Sequence, residues 1–180
     1  MDIQETELIK SALSGDIDCF ESLIRTHSRT LFAVAFAVLQ NSEEAEDVVQ
    51  DTFISAWNKR KIVRDPLKFR AWLTTMARNR ACDLLRKRRT IPLDENHPEI
   101  PDPSIPEPEI TAKLSGELMV AMSNLPEQHR IALTLRYLDD LDHRSIEETM
   151  GLTNGALRGI LGRALATLRK TLKPTLEVYE

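Results

Sequence analysis

The 180-residue sequence contains little cysteine, few aromatic residues and no long apolar run. Its two cysteines, Cys19 and Cys82, match no metal-binding spacing and argue against a disulfide-stapled fold. The longest apolar run, Leu31 to Leu39, has nine residues, well short of the ~20 that a membrane-spanning helix needs. The first residues include neither a basic segment nor an apolar stretch, so no secretory signal is expected. These features predict a cytoplasmic chain with no membrane insertion.

Motifs of catalytic chemistry are also missing from the sequence. It contains no glycine-rich phosphate loop, no zinc-ligand spacing and no nucleophile motif. We therefore expect neither an enzyme nor a site for a metal or another cofactor. Hydrophobic residues make up 42% of the chain, which is enough for a folded core and disfavours general disorder.

Charge is distributed very unevenly along the chain, which the net charge of −4 conceals. Residues 1–55 include 3 basic and 11 acidic residues, whereas residues 56–90 include 12 basic and 2 acidic ones. Residues 91–128 are acidic again, and residues 129–180 are nearly balanced. A basic segment inside an acidic protein is typical of a surface that binds a polyanion. A solvated helix face is the alternative interpretation of the same segment.

The spacing of apolar residues predicts a helical protein. Apolar side chains recur every three or four positions, and no segment shows the sustained alternation of a β-strand. Asp16 and Asn41 are predicted to cap two helices, and Glu44 is placed to complete a capping box with Asn41. A turn at Gly151 separates two further helices, which is the pattern of a helix-turn-helix.

Residues 91–108 interrupt the helical pattern because they hold six of the nine prolines and five acidic residues. This composition favours an extended, solvated chain and predicts a flexible linker. We therefore expect an all-α protein in which two small helical domains, residues 1–90 and 109–180, are joined by this linker.

Limited proteolysis tests the predicted division. Packed helices protect their backbone from proteases, whereas a linker rich in proline and acidic residues does not. We expect the first cuts between Thr90 and Glu109, leaving two stable fragments. Early cleavage elsewhere, with this segment protected, would show that the segment packs on a domain or occupies a groove.

Three stretches resemble the extracytoplasmic function group, or group IV, of the sigma-70 family of bacterial transcription initiation factors. They are DVVQDTFISAW at 47–57, FRAWLTTMARN at 69–79 followed by Asp83 and the basic run 86–89, and the segment from Leu125 through the helix-turn-helix to Ala164. The resemblance covers nearly the whole chain. It implies two helical domains, called regions 2 and 4, and a non-catalytic factor. The implied partners are core RNA polymerase, promoter DNA and an anti-sigma factor.

The first stretch resembles the helix that docks on the clamp helices of the polymerase β′ subunit. The family's second domain meets the β flap. A docking helix needs one buried face and one polar face. The outward residues that would bind basic groups of the polymerase are Asp47, Gln50, Asp51 and Asn58. Acids that merely favour the helix dipole are the alternative, which fits Glu43 and Glu44 better than Gln50 and Asp51.

The second stretch resembles the reader of the promoter −10 element. The residues that the resemblance assigns to this element are Arg64, Asp65, Lys68, Arg78, Asn79, Arg80, Arg86, Lys87, Arg88 and Arg89. The loop from Lys59 to Lys68 corresponds to a loop that captures a flipped base, a step that costs a few kcal/mol of unstacking. Phe69 and Trp72 could stack on bases, but their helical spacing favours a place in the core.

The third stretch resembles the reader of the −35 element, with Asn154, Arg158 and Arg163 as its candidate contacts. The family pattern has arginines where this chain has Ile160 and Leu165. We therefore expect initiation to depend less on the −35 element than it does in typical relatives. Ile160 is expected to cover apolar surface instead, including that of an anti-sigma partner.

Two other interpretations of the sequence stay open. One is a sigma mimic that sequesters an anti-sigma factor without binding promoters, and the other is a repressor-like DNA binder with two domains. The basic segment argues against a mimic, because a mimic needs no phosphate contacts. The docking stretch argues against a repressor.

Overall fold

The computed structural model describes the backbone of residues 3–90 and 109–176, and the side chains of residues 4–88 and 116–172. All regular structure within these ranges is helical, which confirms the predicted all-α class. Contacts divide the chain into two compact units, Met1–His97 and Pro98–Glu180. The predicted linker at 91–108 lies outside the described residues.

The first unit is built around one long central helix. Its four helices are α1 (Ile3–Ser14), α2 (Ile17–Leu39), α3 (Ser42–Lys59) and α4 (Phe69–Thr90). Two short 3₁₀ turns, Arg60–Ile62 and Pro66–Lys68, connect α3 to α4. Helix α2 packs against α1, α3 and α4. The buried side chains between these helices include Leu23, Leu31, Val34, Val48, Phe53, Phe69 and Leu73. Phe69 is therefore a core residue, as its spacing predicted.

Local capping signals fix where the first helices begin. Gly15 ends α1 with a φ of 115°, a conformation that residues with a Cβ rarely adopt. The Asp16 side chain accepts a hydrogen bond from Cys19 N, and the Asn41 side chain accepts one from Glu44 N, both at 2.9 Å. These two predicted caps are confirmed. The predicted capping box is wrong, because Glu44 forms an ion pair with Arg88 of α4 instead.

The second unit contains the predicted helix-turn-helix. Its helices are α5 (Glu109–Ser123), α6 (Glu127–Leu133), α7 (His143–Met150) and α8 (Asn154–Leu176). A π-helical turn, Thr134–Leu138, extends α6. Gly151 ends α7 with a φ of 66°, which allows the tight turn into α8. Helix α8 packs against α5, α6 and α7, so it is both the last helix and the main core element of this unit.

Candidate functional site

Helix α3 divides into a buried face and a polar outer face. Its buried side chains are Ala45, Val48, Thr52, Phe53 and Ala56. Three of the four predicted docking residues, Asp47, Gln50 and Asn58, are exposed, and Asp51 is about half exposed. The structure thus places all four on the outer face. The docking role itself stays a prediction.

One apolar side chain on this outer face was missed by the sequence reasoning. Ile54 is 62% exposed and lies four positions after Gln50 and four before Asn58. Residues four apart share a helix face, so Ile54 lies in the middle of the predicted docking residues. The helical spacing could have revealed it, because Ile54 does not belong to the apolar stripe that contains Val48 and Phe53. An exposed isoleucine among polar groups offers a partner apolar area in addition to charge.

The segment between α3 and α4 presents cations and apolar side chains together. Lys61, Arg64 and Lys68 are exposed, and the structure shows no ion pair for them among the residues it describes. Ile62 and Leu67 are 67% and 62% exposed. Such a loop can bind phosphates through its cations and apolar surfaces through its two aliphatic side chains.

Asp65, predicted as a −10 contact, has a structural role in the same loop. Its Oδ1 accepts a hydrogen bond from Leu67 N at 3.0 Å and caps the second 3₁₀ turn. Pro66 begins this short turn, and α4 starts at Phe69. Asp65 therefore shapes the loop that holds Arg64 and Lys68.

Three of the basic residues predicted to contact the −10 element form ion pairs within the protein. Arg80 pairs with Asp51 of α3, Arg88 pairs with Glu44 of α3, and Arg86 lies 3.2 Å from an oxygen of Asp83. The first two pairs connect α3, which is rich in acidic residues, to α4, which is rich in basic residues.

The remaining candidates on α4 occupy several environments. Asn79 and Lys87 are exposed, whereas Arg78 is partly buried and donates to Asn79 Oδ1 at 3.4 Å. The side chain of Arg89 lies outside the described residues. Trp72 is partly buried, with its ring 6.0 Å from that of Phe69. The exposed basic surface of this unit therefore includes the loop before α4 as well as the helix.

The predicted −35 contacts lie on the exposed side of α8. Asn154, Arg158 and Arg163 are all exposed. Asn154 donates from Nδ2 to Glu147 Oε1 at 2.6 Å, so α7 holds the first side chain of α8 in place. Burial and the nearby charge of Arg163 lower the pKa of His129 on α6.

Ile160 does not lie on the outer side of α8, and this corrects the sequence interpretation. It is only 5% exposed, and it belongs to a buried stripe with Leu157, Leu161 and Ala164. Leu165 is half-buried. Ile160 is therefore a core residue of the second unit and offers almost no surface to DNA or to a partner. The expectation of weak −35 dependence therefore loses the residue on which it chiefly rested.

Among the described side chains, no group of three or more His, Cys, Asp or Glu residues is arranged to hold a metal ion. None of the described helices is both long and apolar enough to cross a membrane. The two cysteines are half-buried free thiols, and partial burial together with Asp16 raises the pKa of Cys19.

Comparison with family models identifies the class of both units. The model of sigma-70 region 2 matches residues 23–91, and the model of sigma-70 region 4 matches residues 115–168. The first match contains α3, the loop and α4, and the second contains the helix-turn-helix. The fold thus combines the two conserved regions of a sigma factor.

Curated relatives narrow the class further. The ECF RNA polymerase sigma factor SigW of Bacillus subtilis is 26% identical over 185 residues, covering 96% of this chain and 99% of SigW. SigL of Mycobacterium tuberculosis is 28% identical over 169 residues, covering 92% and 95%. The probable RNA polymerase sigma factor RfaY of Xanthomonas campestris pv. campestris is 27% identical over 175 residues, but this chain spans only 44% of its length. The chain belongs to the extracytoplasmic function group of the sigma-70 family.

Two solved structures share the architecture. CnrH, solved in complex with the cytosolic domain of CnrY, is 27% identical with a TM-score of 0.67, covering 94% of this chain and 97% of CnrH. The sigma factor RpoE from Bartonella quintana, solved with the anti-sigma factor NepR, has a TM-score of 0.69 at 22% identity, covering 87% of this chain and 98% of that one. The second likeness concerns the fold alone.

Proposed function

We propose that this protein is a non-catalytic initiation factor of the cytoplasm that binds core RNA polymerase, directs it to promoters and helps to open the −10 region. The observation that carries this proposal is the presence of two surfaces of opposite charge in the first unit. Asp47, Gln50 and Asn58 form a polar face around Ile54 on α3, while exposed cations lie in the loop before α4. An acidic face suits a basic protein partner, and a cationic loop suits a polyanion.

In the second unit, we propose that α8 reads the −35 element in the major groove. A recognition helix contacts base edges from its N-terminal residues, where Asn154 and Arg158 are exposed. The burial of Ile160 strengthens this proposal, because its replacement of a family arginine no longer indicates a lost DNA contact. It also weakens the mimic interpretation, which a recognition helix that has lost DNA contacts would have favoured.

We also propose an anti-sigma partner for this chain. The relatives RpoE and CnrH were each solved with a bound protein, which is NepR, an anti-sigma factor, in the case of RpoE. Exposed apolar side chains on both units, including Ile54, Tyr137 and Leu138, supply surface that such a protein could cover.

Run-off transcription with purified core polymerase tests the proposed function. Because the promoters are unidentified, the template is a pool of linear DNA with random sequence upstream of a constant transcribed region. We expect the chain to stimulate initiation from templates that share −10 and −35 sequences. Binding to core polymerase without initiation on any template would favour the mimic. If the chain binds particular DNA sequences without core polymerase and does not stimulate initiation, the repressor interpretation is favoured.

The docking face is tested with Ile54→Glu. A buried apolar contact of this size contributes about 1.5–3 kcal/mol, so we expect core-polymerase affinity to fall at least about tenfold. Asp18→Lys is the control, because it changes charge at an exposed position of a different helix, α2. Equal affinity of Ile54→Glu and the unchanged protein would show that α3 is not the docking surface.

A further inference from the structure

The proposed polymerase surface and the proposed DNA surface meet at one ion pair. Asp51 belongs to the outer face of α3, and Arg80 lies on the basic helix α4. Arg80 Nη2 and Asp51 Oδ2 are hydrogen-bonded although the residues are 29 positions apart in sequence. Each of the two groups is therefore a candidate contact for a different partner.

This pair is open to competition from solvent and from ligands. The side chains of Arg80 and Asp51 are 51% and 47% exposed, so an outside group can approach either of them. A guanidinium can only donate hydrogen bonds and a carboxylate can only accept them. A DNA phosphate therefore competes with Asp51 for Arg80, and a basic group of the polymerase competes with Arg80 for Asp51.

The second pair between the same helices is more enclosed. Arg88 and Glu44 are 38% and 30% exposed, and the other oxygen of Glu44 is buried without a hydrogen-bond partner among the described residues. Separating this pair would leave a partly buried carboxylate without compensation, which is costly. The Glu44–Arg88 pair thus holds α3 against α4, whereas the Asp51–Arg80 pair can open while the helices stay packed.

We propose that the Asp51–Arg80 pair is an exchangeable internal contact that couples docking on α3 to DNA binding on α4. When a basic group of the docking partner engages Asp51, Arg80 is released and binds a DNA phosphate. This inference rests on the proposed function, since that function assigns core polymerase as the partner of Asp51 and DNA as the partner of Arg80. Because coupling between two binding sites is reciprocal, DNA bound at Arg80 strengthens docking at Asp51 by the same factor.

The free full-length chain provides the first test, with a labelled forked DNA of mixed sequence and fluorescence anisotropy as the readout. Asp51→Ala should raise DNA affinity about two- to fivefold, because exposed ion pairs contribute on this scale. The matched control is Asp47→Ala, which removes the same charge one turn earlier on the same helix. Among the residues that the structure describes, Asp47 forms no ion pair. Its removal should have a clearly smaller effect.

A double-mutant cycle separates the pair from general electrostatics. In an Arg80→Gln background, the gain in DNA affinity from Asp51→Ala should fall to the small gain from Asp47→Ala, since no guanidinium remains to be released. In the complex with core polymerase, used at saturating concentration, it should fall in the same way, because the partner already engages Asp51. Equal gains from Asp51→Ala and Asp47→Ala, or an unchanged gain in the Arg80→Gln background, would overturn the inference.

The results also separate this inference from the proposed function. If the cycle in the free chain is non-additive but no template supports initiation, the pair restrains Arg80 and the proposed function fails. If initiation is stimulated but the cycle is additive, the function stands and the coupling through this pair is wrong.

Discussion

Replacing Ile160 with arginine should destabilise the second unit by about 4 kcal/mol or more, enough to unfold it under conditions where the unchanged chain is folded. Ile160 is 5% exposed within the buried stripe of α8, and an arginine there would bury an unpaired charge or force the helix away from its neighbours. Urea denaturation of the full chain, followed by far-ultraviolet circular dichroism, measures the loss.

Two variants of the same helix serve as controls. Ala166→Arg adds the same side chain at an exposed position and should change the free energy of unfolding by less than about 0.5 kcal/mol. Ile160→Val removes a single methylene and should cost about 0.5–1.5 kcal/mol. If Ile160→Arg and Ala166→Arg unfold at the same urea concentration, position 160 is not core and the original outward interpretation returns.

Neutralising the loop before α4 should have the largest effect on promoter binding. We expect the triple variant with Lys61→Gln, Arg64→Gln and Lys68→Gln to lose at least about tenfold in promoter affinity as a complex with core polymerase. The slope of log affinity against log salt should fall by about two to three, because each phosphate contact contributes about 0.7–0.9. Affinity measured across a salt series gives both quantities.

Core-polymerase binding is the internal control for this triple variant and should be unchanged. A double variant with Lys10→Gln and Arg29→Gln removes exposed cations from α1 and α2, and should barely change the salt slope. A triple variant with the slope of the unchanged protein would place the phosphate contacts elsewhere on the chain.

The basic run at 86–89 is a less informative target than the loop. Arg88 is paired with Glu44 of α3, so charge reversal in this run would disturb the packing of α3 on α4 as well as any phosphate contact. The pair of Arg86 with Asp83 lies within α4. The loop is the better target for separating the proposed docking from the proposed DNA binding, because Lys61, Arg64 and Lys68 form no ion pair with α3 among the residues that the structure describes.

Local signals account for most of what the sequence predicted correctly. The caps at Asp16 and Asn41, the turn at Gly151 and the burial of Phe69 all follow from residues within a few positions of one another. The Asp51–Arg80 and Glu44–Arg88 pairs join residues far apart in sequence, so no local pattern contains them.

Ile160 illustrates a different kind of error. Its spacing from Leu157 and Ala164 already indicated the buried stripe, but comparison with the family pattern gave the position an outward role. Burial in the structure agrees with the helical periodicity. When a residue differs from the family pattern but fits the apolar spacing of its own helix, the spacing predicts burial more reliably than the family comparison.

The central position of α2 has a consequence for the genetics of this protein. Helix α2 packs against α1, α3 and α4, so its buried side chains support α3 and α4 at once. Mutations that reshape residues such as Leu31 or Val34 should be pleiotropic and impair both proposed functions, docking and DNA binding, together. Alleles that separate the two functions should map to exposed positions of α3 and of the loop. In a genetic screen, an allele that impairs both functions would thus indicate a buried residue, and an allele that impairs only one would indicate an exposed residue.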